Sequence, residues 1–109
     1  MSQGTVPRWE AMRTDESRGV EQLLRAHFAN ADAYRYNSVS IRVRVVDPKF
    51  EGMSDEDRDA MVEPLLKTLP QATYDDIVNL ITVAPSELNG RFRRWMANQE
   101  FEDPTVSDL

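Results

Sequence analysis

The chain of 109 residues carries 13 Lys and Arg, 19 Asp and Glu, one His and no Cys, for a net charge of −6. That length suits one domain, and 40% hydrophobic residues can fill a small core. The composition excludes disulfides, thiolate catalysis, a self-ligated iron–sulfur or Cys-zinc site and a two-His zinc helix, and it opposes nonspecific nucleic-acid binding.

Residues 1–18 are polar, hold Gly4 and Pro7 and show no sustained periodicity, which predicts a flexible tail. Val6, Trp9 and Met12, spaced i, i+3, i+6, leave a short docked turn as the alternative. From Val20 the pattern turns helical. Val20, Leu23, Leu24, His27, Phe28 and Ala31 share one face, and Glu21, Arg25 and Asp32 lie toward the other. His27 on that face reads as a partly buried core or edge histidine. Asn30 to Asn37 reads as a helix end and loop, with a short strand at Ala33–Tyr36 as the alternative within it.

Ser38 to Val46 is the clearest strand. Val39, Ile41, Val43 and Val45 alternate with Ser40, Arg42, Arg44 and Val46, which predicts one face on a core and one in water. Asp47-Pro48 ends it, because proline cannot donate to the ladder. Ser54, with Asp57 three residues on, has the spacing of a capping box. Asp55, Glu56 and Asp57 then sit where a helix macrodipole favours negative charge. Met61, Val62, Leu65, Leu66 and Leu69 form the expected buried stripe. Pro64 should kink or split this helix, and Pro70 ends it.

The segment from Gln71 to Pro85 fits two readings. Ile77, Leu80, Ile81 and Ala84 suit a helix, but five of the seven residues from Ile77 to Val83 are β-branched. A single strand cannot form a sheet, so Ile77–Val83 is taken as a second long strand, reached by a crossover through the Ser54 helix. A last helix from Ser86 presents Leu88, Phe92, Trp95 and Met96, with Arg91, Arg93 and Arg94 around them. These apolar residues either dock on the domain or stand free. Residues 98–109 are acidic, hold Pro104 and should be loose. The expected organisation is a flexible 1–18, a domain over 19–97 and an acidic flexible 98–109.

The stretch Ser40-Ile-Arg-Val-Arg-Val-Val-Asp-Pro-Lys-Phe-Glu-Gly-Met-Ser54 resembles the second strand and following loop of BolA-like proteins. Arg58, Met61, Val62, Leu65 and Leu69 follow as that family's helix does, and Ile77 to Leu88 is similar to its last strand and exit. The resemblance spans about Val20 to Leu88. It implies a two-layer α+β fold, a small three-stranded mixed sheet with helices on one face, similar also to one class of KH domains. BolA-like proteins carry an Arg-His pair early in the central helix and a His at the start of the last strand. Both are associated with sharing an iron–sulfur cluster with a glutaredoxin. Here those positions hold Arg58-Asp59 and Asp75-Asp76, and His27 matches neither. The loop at Ala33 to Asn37 also looks shorter. The resemblance therefore implies the fold without the cluster ligands.

The charge is uneven. Residues 1–49 carry eight basic and six acidic residues, a balance of +2, whereas residues 50–109 carry five and thirteen, a balance of −8. Asp59 and Asp76 alone supply too few oxygens for a hard cation. No phosphate loop or nucleophile elbow occurs. Arg42 and Arg44 on the polar strand face, Tyr34-Arg35-Tyr36, and Arg91-Phe92-Arg93-Arg94-Trp95 combine cations with aromatics as a nucleic-acid interface does. The Gly-x-x-Gly loop of KH domains is missing and the net charge opposes that reading.

These features predict a small, non-enzymatic binding or adaptor protein that meets a protein partner. No cofactor or metal is expected, nor a membrane partner, and the chain is taken as a monomer or weak dimer. No apolar run approaches the roughly 20 residues of a membrane span and no signal-type N-terminus is seen, so the cytoplasm is the expected address. The candidate partner surface is Arg42, Arg44, Arg58, Asp59, Arg91, Phe92, Arg94 and Trp95. A KH-like nucleic-acid module is the alternative, and an enzyme with a dispersed site comes third.

Overall fold

A computed structural model describes residues 7–88 and 93–104, with 93–95 described by their backbone alone. Helix α1 (Asp15–Arg25) leads into strand β1 (Asn30–Asn37), which turns into β2 (Ser40–Val46). Helices α2 (Asp55–Leu66) and α3 (Gln71–Asp76) then cross to β3 (Ile77–Val83), and α4 (Arg93–Glu102) closes the fold. The sheet order is β1-β2-β3, with β1 antiparallel and β3 parallel to β2. The described residues thus form a small α+β domain with a three-stranded mixed sheet and four helices.

Local chemistry accounts for most boundaries. α1 starts at Asp15, five residues before the hydrophobic pattern begins, because Thr14 forms a reciprocal capping box. The Ser17 amide donates to Thr14 Oγ1 at 3.2 Å and the Thr14 amide to Ser17 Oγ at 2.9 Å. At the hairpin, Asn37 Oδ1 accepts from the Val39 amide at 2.9 Å, so Ser38 and Val39 form the turn and Val39 leaves the buried face. Ser54 Oγ accepts from the Asp57 amide and caps α2. α2 runs through Pro64 without splitting. Ala60, whose carbonyl loses its partner there, lies on the exposed side, where water can take the bond. The buried stripe of α2 is Arg58, Val62 and Leu66, while Met61 is exposed.

One side of the sheet packs against α1 and α2. Val20 and Leu24 of α1 meet Ile41, Val43 and Val45 of β2, with Phe50, Val62 and Leu66 completing the core. The opposite side, expected to face water, is covered as well. The 3-10 turn Arg8–Met12 and α4 bring Trp9 and Phe101 onto Tyr34 of β1, with ring centroids 4.8–6.0 Å apart. Helical elements therefore lie on both faces, and the two-layer expectation is corrected to three layers.

The same packing corrects both tail assignments. Trp9 is 3% exposed, as the docked-turn alternative requires, while Val6 lies outside the described residues. α4 extends to Glu102, Asn98 and Phe101 are buried, and Arg8 donates to the Pro104 carbonyl at 2.9 Å. The last helix does not start at Ser86; Pro85–Leu88 is a 3-10 turn, and Met96 points to solvent at 62% exposure. Leu88 is half-buried, and the expected docking of Phe92 and Trp95 falls outside the described side chains. No helix of the described residues is long and apolar enough to cross a membrane.

Candidate functional site

Of the arginines expected on a partner surface, Arg44 and Arg58 are buried and Arg42 is half-buried. Arg44 is buried. Its Nε and Nη2 donate to Asp32 Oδ2 at 3.2 and 2.6 Å, and its Nη1 donates to Asn98 Oδ1 and Glu102 Oε2, both at 2.6 Å. Its guanidinium also lies 4.7 Å from the Phe101 ring centroid. β2 supplies the cation, β1 one carboxylate and α4 the other, so the pattern that put Arg44 in water lacked its partners. Nearby, the buried Glu21 accepts from Arg13 Nε at 3.0 Å and from the Ala33 amide at 2.8 Å. Glu21 and Asp32 thus serve the interior rather than a solvated helix side.

Arg58 is 1% exposed and closes the other end of the domain. It meets Glu87 in a two-pronged pair at 2.8 and 2.9 Å, and donates to the Met53 and Thr82 carbonyls. The bond from Arg58 holds the Glu87 carboxyl below its ordinary range despite partial burial. Arg58 therefore joins α2 to the end of β3 and is no docking group.

Arg42 is half-buried. Its guanidinium stacks 3.9 Å from the Tyr36 ring centroid and donates to Tyr34 Oη and Glu100 Oε2, each at 3.3 Å. Burial pushes the Tyr34 hydroxyl upward, and the Arg42 bond opposes this. Asp59 is exposed, and desolvation followed by the neighbouring Glu63 charge raises its carboxyl. Arg91 and Phe92 lie outside the described residues, and Arg94 and Trp95 are placed only as part of α4. His27 is exposed, not partly buried. Asp76 pairs with Arg35 at 3.1 Å. No group of three His, Asp or Glu side chains among the described residues could hold a metal ion.

An exposed site instead lies along β3. Among the described residues no strand pairs with its outer side. Amide and carbonyl groups alternate in direction along a strand. The Val83 carbonyl accepts from Asp47, which follows β2, so Thr82 and Leu80 point outward; the Arg58 bond to the Thr82 carbonyl agrees. The register slips where β2 meets the start of β3: Ile77 pairs with Ile41, Asn79 with Arg42, and Val78 has no ladder partner. Val78 is 62% exposed.

Beside this edge runs an open groove of about 330 Å³, lined by Leu66, Ile77 and Leu80 with Glu63, Tyr74 and Asp75 among its polar members. Tyr74 Oη donates to Glu63 Oε1 at 2.9 Å, and that bond raises the Tyr74 hydroxyl. Gln71 Nε2 donates to Asp75 Oδ1 at 2.7 Å. Each carboxylate retains acceptor capacity. A strand edge without a described partner, with apolar residues and carboxylates beside it, can hold an extended chain. Sequence reasoning missed Glu63, Tyr74 and Leu80, because a β-branched run signals a strand without saying whether it lies at an edge.

No family model, no curated protein and no solved structure matches the chain.

Proposed function

We propose that this chain is a small, non-enzymatic binding or adaptor domain of BolA-like fold, acting in the cytoplasm, that meets a protein partner along β3. The element order supports the fold label: a helix, a hairpin, a helical crossover and a strand parallel to the second. The positions of the family's histidines hold Asp59 and Asp76, so the iron–sulfur role is not part of the proposal. The observation that carries the binding reading is the exposed β3 edge with Val78 beside an open groove.

The KH-like alternative draws on the Arg42 and Arg44 face or on Arg91 to Arg94; the first two are engaged within the domain, and the side chains of the others lie outside the described residues. A peptide library panned against the whole chain tests the binding reading, with Val78→Pro as the counter-selection. Enriched peptides should shift the amides of residues 77–80 and lose binding to the variant. Peptides that instead shift only α4, or single-stranded RNA that binds with micromolar affinity and a steep salt dependence, would overturn it.

A further inference from the structure

Resting on the reading of β3 as the contact edge, we infer that the groove takes an extended basic segment of a partner protein. The segment adds as a fourth strand beside residues 77–81, with Lys or Arg on its groove side. An added strand sends alternate side chains to each face of the sheet. On the α2 side such a side chain enters the groove lined by Leu66, Ile77 and Leu80 together with Glu63 and Asp75. Apolar residues with carboxylates beside them suit a long aliphatic stem ending in a cation. A short apolar residue would leave the carboxylates unmet, and a carboxylate would be repelled.

Two further observations shape the occupant. The Thr82 carbonyl on the outer edge is already bonded to Arg58, so the added ladder stops short of residue 82 and the contacting segment is short. A second copy of this chain is a poor occupant. Antiparallel pairing of two β3 edges would bring two α2 helices together, each with Asp55, Glu56, Asp57, Asp59 and Glu63 and its one arginine turned inward. That juxtaposition sets like charges against each other, whereas a basic segment relieves them.

The test uses the full chain and three synthetic peptides in which Val alternates with Lys, Ser or Glu, followed by amide NMR titration. The Lys peptide should shift residues 77–80 and bind about tenfold more tightly than the Glu peptide, with the difference shrinking in high salt. In a Glu63→Gln and Asp75→Asn double variant the preference should fall to within about threefold, since both amides can keep the Tyr74 and Gln71 bonds. Equal binding of all three peptides at residues 77–80 would overturn the basic-segment inference and leave the β3 reading standing. If no peptide shifts those residues, both fail. Self-association that shifts residues 77–80 as concentration rises would replace the partner segment with a second copy and overturn the inference.

Discussion

The two faces of the sheet are buried by different chemistry. On the α1 and α2 side, Leu24, Val43, Val45 and Phe50 exclude water through aliphatic and aromatic contact. On the α4 side, Trp9, Tyr34 and Phe101 surround a charged pair, Arg44 with Asp32, tied to Asn98 and Glu102. Apolar burial is non-directional and tolerates small shifts. A buried ion pair depends on both partners, because either one alone is an uncompensated charge. The first face makes the domain stable; the second ties the Arg8–Met12 turn and α4 to one arrangement.

Breaking the charged face should have the largest effect. Arg44→Ala leaves Asp32 with Arg25 at 3.0 Å and Arg13 at 3.6 Å but removes its closest cation and the donor to Asn98 and Glu102, and should lower stability by about 3 kcal/mol in urea denaturation. Replacing the pair together, with Arg44→Met and Asp32→Leu, should recover part of that loss, since Asn98 and Glu102 still lack their donor. No recovery would mean that the pair itself, and not the stranded charge, stabilises the face. On the apolar face Leu24→Ala should cost about 2–5 kcal/mol, with little dependence on salt.

Acid sharpens the contrast further. The Glu87 carboxyl, held below its ordinary value of 4.5 by Arg58, contributes stability that is present above that value. The contribution disappears as pH falls through the depressed folded-state value. The urea midpoint of the parent chain should therefore drop more steeply below about pH 4.5 than that of Glu87→Gln. Thr14→Ala, which removes the cap tying the N-terminal turn to α1, should cost about 1 kcal/mol by thermal melting. Val78→Ser, on the exposed edge, should change stability by no more than about 0.5 kcal/mol while weakening peptide capture.

Much of the backbone was legible from short-range patterns. The alternation around Arg42 and Arg44 marked β2, the β-branched run marked β3 from Ile77 to Val83, and Ser54 marked the start of α2. The candidate site was much less legible. Asp59 stood out because it occupies the place of a histidine in the BolA-like pattern that the sequence resembles, but Glu63 and Tyr74 line the groove only because α2 and α3 pack beside β3. Arg44 looked solvated because its acidic partner Glu102 lies 58 residues away, and Arg58 looked free because Glu87 lies 29 residues away.

By itself, then, the sequence determined the order and type of most elements, the absence of Cys chemistry and the acidic second half, since these depend on composition and on neighbours a few residues apart. The assembled fold was needed to show which charges are interior, that both sheet faces are covered and that no described strand pairs with the outer side of β3. Those features depend on surfaces brought together from distant positions, and desolvation, which makes an arginine structural or available, is a property of that assembled surface.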